Sequence, residues 1–386
     1  MTNPAERQTA SIPRPALAGA AATLSGIGLS RFAYVPLFPA MVEAGWVSGT
    51  QAGFLGAVNL AGYLIGVVSG RATARRFGVG HALDIGMGLA VLSFSACAWN
   101  GGVAWLAGWR LCAGIAGGLL MAIAGPAVQA TVLPGARGAA GGIVVSGVGT
   151  GIIVASLVLP LLLPAGVSAA WLGFAAIVLS LWIAARPLWP DAQPLEDYGP
   201  SRPTRAWPLL VSYALAGAGM VPHMVYFADL AVHGRGLDPL YGAALWLLFG
   251  VGAVSGTLTA GMAADRWGGA TALWLWFLIQ AVGLAAALPS CVALLAVSAF
   301  LGGFGGIGVT AIALARAREL AGAAAADVWV RVTASFAVSQ AATGFALTAL
   351  FGRTHSHEAL FATGLALSIA ALPVAILGAR RPAVAV

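Results

Sequence analysis

The chain contains no lysine, only three cysteines and very little charge of either sign. Of its 386 residues, 8% are charged and 60% hydrophobic. A soluble protein of this length could not present so little charge to water. All 19 basic residues are arginine. They are scattered between apolar runs rather than gathered on one face, which argues against a nucleic-acid partner. Cys97, Cys112 and Cys291 sit inside apolar runs without C-x-x-C spacing, so neither a disulfide framework nor a zinc site is expected. No P-loop, H-E-x-x-H or G-x-S-x-G pattern occurs, so neither ATP drive within the chain nor an enzyme activity is expected, and no cofactor or metal is called for. The glycine cluster GGFGGIG lacks the strand–helix–strand surroundings of a nucleotide site. Glu6, Arg7 and Arg14 precede an apolar run of about 25 residues, too long for the core of a cleavable signal.

What the sequence has instead is twelve apolar segments of membrane-spanning length. They cover residues 16–42, 50–70, 81–100, 103–128, 139–163 and 167–185, then 207–232, 241–262, 270–289, 291–315, 327–351 and 359–379. Between the sixth and seventh lies RPLWPDAQPLEDYGPSRPTRAW, rich in proline and charge. The expected organisation is a six-helix bundle over 1–185, a linker over 186–206 and a second six-helix bundle over 207–386. An even number of spans puts both termini on one side. Fourteen arginines, from Arg7 and Arg14 to Arg380 and Arg381, fall on that side, against Arg235 and Arg353 opposite. Positive charge marks the cytoplasmic face, so both termini are expected in the cytoplasm of a bacterial inner membrane.

The two halves repeat faintly at a constant offset. Gly26 and Gly28 map to Gly217 and Gly219, Gly70 and Arg75 to Gly261 and Arg266, and Gly114 and Gly117 to Gly305 and Gly308. Such a pattern fits parallel repeats related by an axis along the membrane normal. The loop GMAADRWGG, residues 261–269, resembles the G-x-x-x-D-R-x-G signature of the major facilitator superfamily. RLCAGIAGG, from Arg110 to Gly118, is similar to that superfamily's fourth-helix pattern R-x-x-x-G-x-x-G. The resemblance extends over nearly the whole chain and implies an all-α membrane protein of two pseudo-symmetric six-helix bundles. Two departures stand out: Ala74 replaces the usual aspartate in GRATARRFG, and GGIVVSGVGTG lacks the Gly-Pro pair of the antiporter signature. Gly62, Gly66 and Gly70, like Gly302, Gly305 and Gly306, read as small-residue faces for close helix packing.

Arg31 stands alone in GIGLSRFAYVPLFPAM, and an ionised group inside a span marks a functional site by default. At about 1.5 Å per residue, Arg31 lies roughly 21 Å into the first span from its start, and Arg110 about 10 Å into the antiparallel fourth. Both fall in nearly one layer of a core about 30 Å thick. By the same rise His223 is close to that layer. In the superfamily, helices one, four, seven and ten line the central cavity, which implies that Arg31, Arg110 and His223 face one space. Asn59, Tyr34, Tyr63 and Tyr226 are candidate polar neighbours. No acid of the first six spans shares the layer: Glu43 lies at the outer mouth and Asp84 near the cytoplasmic end. Asp229 lies six residues beyond His223, close to the outer surface, where it could answer Arg31 across the cavity or, with Glu43, form an outer gate. His223 and Asp229 are the candidate proton-coupling groups. The loop motif implies a cytoplasmic gate of Arg75, Arg76, Asp265 and Arg266, which Asp84 could join. Asp327 and Arg331 form an i,i+4 pair at an inner helix end.

These readings converge on a secondary transporter. Two intramembrane guanidiniums without an evident carboxylate suggest that the negative charge arrives with the substrate, and the arginine fork suits carboxylate, sulfonate or phosphate. The expected cargo is a small organic anion, moved by a monomer embedded in the bilayer. The alternatives are efflux of drugs or metabolites, a lipid flippase of the same fold, or a non-transporting membrane sensor.

Overall fold

The computed structural model describes residues 14–132, 137–191, 206–322 and 325–379, without the side chains of 129, 137–139, 265 and 325–327. Among the described residues every regular element is helical. The first half runs α1 (Arg14–Thr23), α2 (Tyr34–Glu43), α3 (Gly49–Phe77), α4 (Val79–Cys97), α5 (Val103–Thr131), α6 (Arg137–Leu162) and α7 (Val167–Ala185). The second runs α8 (Trp207–Gly219), α9 (Val221–Asp229), α10 (Pro239–Trp267), α11 (Gly269–Ala286), α12 (Val292–Ala321), α13 (Ala325–Thr354) and α14 (His357–Ala379). Eleven helical stretches are long and apolar enough to cross a membrane, α8 and α9 counting as one. The twelfth span is α1 and α2 together, interrupted between Thr23 and Tyr34. Most of the linker, residues 192–205, lies outside the described residues.

The broken spans are the first and the seventh, which occupy equivalent places in the two repeats. In the first, α1 gives way to a π-helical stretch, Leu24–Leu29, and a turn, and the helix resumes at Tyr34. In the seventh, α8 stops at Gly219 and α9 starts at Val221, with a π-helical stretch at Leu230–Gly234. The repeated pairs Gly26/Gly28 and Gly217/Gly219 stand at these junctions. Pro36 and Pro222 follow them and remove a backbone donor each. Irregular backbone at membrane depth is tolerated only where protein covers it, and both junctions are buried.

Within each half the tightest pairing joins the second helix to the fourth of its repeat, α3 to α5 and α10 to α12. A β-carbon on Gly62 or Gly66 would run into the carbonyls of Leu111 or Ile115, and one on Gly114 or Gly118 into those of Asn59 or Tyr63. In the second repeat Gly252 and Gly256 meet the carbonyls of Phe300 and Phe304 in the same way. Backbone-to-backbone contact is how membrane helices gain packing energy where apolar side chains have no water to escape.

The two bundles meet along α3 with α13 and α6 with α10. Arg14 starts the first span and Ala379 ends the last at one end of the bundle, the terminal end. At the far end, α2 packs directly on α9. At the terminal end, α1 packs on α5, α6 and α7 of its own half, and α8 on α12, α13 and α14 of its own. Among the described residues the first and seventh spans therefore pack on each other at the far end.

A Gly66→Val variant forces a branched side chain into the Ile115 carbonyl and should lower stability by roughly 1–3 kcal/mol, the usual range for overpacking. Gly125→Ala, at a position with nothing within 4 Å of an added β-carbon, should be neutral. Thermal melts of the purified protein compare the two; equal melting temperatures would refute the close-packing account.

Candidate functional site

The junction in the first span organises the charged layer. Arg110, only 2% exposed, donates from Nη1 to the carbonyl of Ser30 at 2.8 Å. Asn59 Nδ2 donates to the carbonyl of Arg110 at 3.1 Å and reaches the Ser30 carbonyl at 3.5 Å. The guanidinium carbon of Arg110 lies 4.2 Å from the Tyr34 ring centroid and 6.0 Å from that of Trp171. The Tyr34 hydroxyl in turn donates to the Ala52 carbonyl at 2.8 Å. Arg110 is thus held by a main-chain acceptor and two ring faces, although its Nε stays unpartnered. It ties α5 to the break in the first span. Two residues beyond Ser30, Trp246 of α10 donates from Nε1 to the Phe32 carbonyl at 3.0 Å. Proline at position 36 cannot supply the usual helical donor to that carbonyl.

Arg31 is in a different condition. Its Nη1 reaches Gln340 Oε1 at 3.4 Å, a long and weak bond, and its buried Nη2 has no partner. The guanidinium carbon lies 4.2 Å from the centroid of the Tyr63 ring. Arg31 lines a central cavity between the bundles, together with Tyr63, Tyr213, Thr310, Thr333 and Gln340. The rest of the lining is apolar, with Met121, Met220, Met224, Trp329 and Phe336 prominent, and no acidic side chain is among the described lining residues. Thr333 Oγ1 is a second buried polar atom without a partner. The Gln340 amide nitrogen has the Met224 sulfur at 3.1 Å, a weak acceptor. The cavity therefore offers donors in excess of acceptors.

The remaining expected residues lie elsewhere. His223 is fully buried, with Nε2 2.9 Å from Ser298 Oγ and its ring packed among Phe227, Phe249 and Phe361. It is not part of the cavity lining. The Tyr226 hydroxyl lies against Gly53 and 3.2 Å from Thr348 Oγ1, in the far-end contact between the halves. Asp229 is 2% exposed and does not meet Arg31. Its Oδ1 accepts from His233 Nδ1 at 2.6 Å and its Oδ2 from His357 Nε2 at 2.7 Å. Glu43, from the first half, has Oε1 3.9 Å from His233 Nε2.

At the terminal end Asp84 accepts from the indoles of Trp182 and Trp189, at 2.6 and 3.0 Å, and from Arg186 Nε at 3.3 Å. It therefore fastens α4 to the end of α7. Glu319 accepts from the backbone nitrogen of Gly269, the first residue of α11, at 2.7 Å and from Arg316 Nη1 at 2.8 Å. Arg316 Nη2 also reaches the Gly378 carbonyl at 3.2 Å. Arg75 is partnered, Arg76 has the neighbouring Phe77 ring 5.6 Å away, and Arg266 and Arg331 are exposed. The side chains of Asp265 and Asp327 lie outside the described residues. Among the described residues no cluster of His, Cys, Asp or Glu is arranged to hold a metal ion.

Sequence reasoning overlooked the contribution of α13. Trp329, Thr333, Phe336 and Gln340 recur every three or four residues and so share one helix face, which lines the cavity. That spacing of polar residues within an apolar span was a readable signal.

Arg31→Met removes a buried charge that is only half satisfied, so the melting temperature should hold or rise. Arg110→Met leaves the Ser30 carbonyl with only the long bond from Asn59 and should cost about 1–3 kcal/mol. Melts of the two purified variants decide this, and a larger loss for Arg31→Met would reverse the assigned roles.

Three comparisons bear on identity. A family model described as "Uncharacterised MFS-type transporter YbfB" matches residues 23–376. Among solved structures, a partially occluded inward-open conformation of the xylose transporter XylE from E. coli superposes with a TM-score of 0.75 at 14% identity, over 97% of this chain and 98% of that one. No curated protein matches.

Proposed function

Because the chain belongs to the YbfB-type family of MFS transporters, with the fold of secondary transporters that work by alternating access, we propose that it moves a small organic anion across the bacterial inner membrane. One observation carries this reading: the buried, unpartnered Nη2 of Arg31 in a cavity whose described lining contains no carboxylate. A guanidinium so placed lacks an anion, and its free edge can form a charge-assisted bond with a carboxylate or sulfonate. Tyr63 and Gln340 complete the anchor. Arg110, Tyr34 and Asn59 hold the backbone that presents Arg31, and Tyr226 seals the far end above it. The excess of arginine at the terminal end supports a cytoplasmic location for both termini. Residues 1–185 and 207–386 then rock about the site as two bodies joined by the 186–206 linker, within a single monomer. Arg75, Arg76, Asp265 and Arg266 serve as the cytoplasmic gate.

Transport is coupled to protons in this reading. The cluster of Asp229 with its two imidazoles is better supported as the coupling site than His223, whose ring is enclosed by phenylalanines. Drug efflux with Arg31 neutralised by Asp229 loses support, since both Asp229 oxygens are engaged by His233 and His357.

Ligand screening tests the anion. A ligand present at about 100 times its Kd adds about 2.7 kcal/mol to apparent stability. Carboxylates or sulfonates should raise the melting temperature of the parent and not of Arg31→Gln, while amines and neutral drugs should have no effect. Stabilisation by cations alone, retained in Arg31→Gln, would sink the proposal. For coupling, uptake of the identified anion into proteoliposomes should accelerate under an imposed pH gradient and lose that response in Asp229→Asn; indifference to the gradient in the parent excludes proton coupling.

A further inference from the structure

We propose that His233 is a proton-binding site at the outer mouth whose protonation holds the two bundles together there. The inference rests on alternating access and on the placement of the far end outside. It does not depend on the cargo being an anion.

The argument begins with Asp229. A carboxylate in its ionised form only accepts hydrogen bonds, so both nitrogens facing it carry protons: Nδ1 of His233 at 2.6 Å and Nε2 of His357 at 2.7 Å. That leaves Nε2 of His233 and Nδ1 of His357 as the nitrogens that can gain or lose a proton, and the first of them faces the other bundle. His233 is also the accessible member of the group. Its side chain is 35% exposed, against 8% for His357 and 3% for Asp229.

Glu43, at the end of α2 in that bundle, places Oε1 3.9 Å from His233 Nε2. A neutral ring would turn a lone pair toward that carboxylate. A protonated ring turns an N–H toward it and places one imidazolium between two carboxylates, Asp229 from its own half and Glu43 from the other.

The other charged groups nearby are already engaged or point elsewhere. Arg235 is bonded to Glu358 and to the carbonyls of Ala287 and Leu288. Asp238 caps α10 through the backbone of Leu240. Arg353 at the end of α13 and His355 just beyond it stand exposed, and His355 lies edge-on to Phe351. None of these is seen to neutralise Glu43 and Asp229 together. Without the proton, two carboxylates from opposite bundles face each other across a neutral ring, and the contact opposes closure.

The sign follows directly. Protonation favours the closed outer mouth, so closure is favoured at lower pH and opposed at higher pH. A partly exposed pair of this kind changes the closed-to-open ratio about two- to five-fold.

Electron–electron distances between spin labels on the full-length protein in lipid nanodiscs test this without any substrate. One label goes on Asn100→Cys, at the far end of the first half. The other goes on the native, exposed Cys291 at the far end of the second, with Cys112→Ala to remove a competing thiol and Cys97 left buried. The parent should show mainly the short distance at pH 5.5 and gain the long one at pH 8. His233→Gln should show one distribution at both pH values, and so should Glu43→Gln, which alters an exposed side chain on the other bundle and leaves the Asp229 cluster intact. A parent that ignores pH overturns the proposal. So does a His233→Gln or Glu43→Gln protein that keeps the parent's full response. Because no cargo is present, the result stands apart from the fate of the anion reading, which the melting experiments decide.

Discussion

A guanidinium in an apolar layer must find acceptors or stay costly, and this protein places two such groups side by side with no carboxylate between them. Their fates differ. Arg110 is satisfied by a carbonyl at the break in the first span and by two aromatic faces, so its charge has become part of the framework. Arg31, one residue beyond that carbonyl, keeps half of its fork unused. The break in the helix, the close approach of α3 to α5 and the position of Asn59 all serve the first arrangement. The second is what they leave over, and it faces the space between the bundles.

The repeat gives this division its shape. Both halves carry a glycine pair and a following proline where the first span of the repeat breaks, and both pack their second and fourth helices through glycines. The charge is not repeated. The positions that correspond to Arg31 and Arg110 in the second half are Pro222 and Leu301, and that half contributes hydroxyls, an amide and thioethers to the cavity instead. A symmetric scaffold thus carries a one-sided site, with the cation in the first bundle and the softer groups in the second. Opposite ends of a polar cargo would then be held by different bundles, which is the geometry that lets binding bias their relative motion.

Much of the fold was legible because hydrophobic length is a direct physical requirement of the bilayer. The segment read as 103–128 is Val103–Thr131, and 241–262 lies inside Pro239–Trp267. The interruptions in the first and seventh spans were not read, since apolar composition runs straight through them. For the side chains, helical rise gives depth without azimuth. It set Arg31 and Arg110 at one level, and the Arg110 side chain reaches the carbonyl of the residue before Arg31. It also set His223 near that level, although the ring turns away into a shell of phenylalanines. The partners of Asp229 illustrate a second limit. His233 is one helical turn away and could have been inferred, whereas His357 is 128 residues distant and only the folded bundle brings it there.

The bond from Trp246 to the carbonyl of Phe32 has a consequence of another kind. It crosses from one bundle to the other, and its acceptor belongs to the main chain. A change of side chain at position 32 therefore alters the ring packing on Trp246 but keeps the acceptor, while position 246 must keep an N–H of the right reach. Drift in such a seam is lopsided: one partner is fixed by its chemistry, and the other is a main-chain carbonyl that the indole shares with the Val35 N–H.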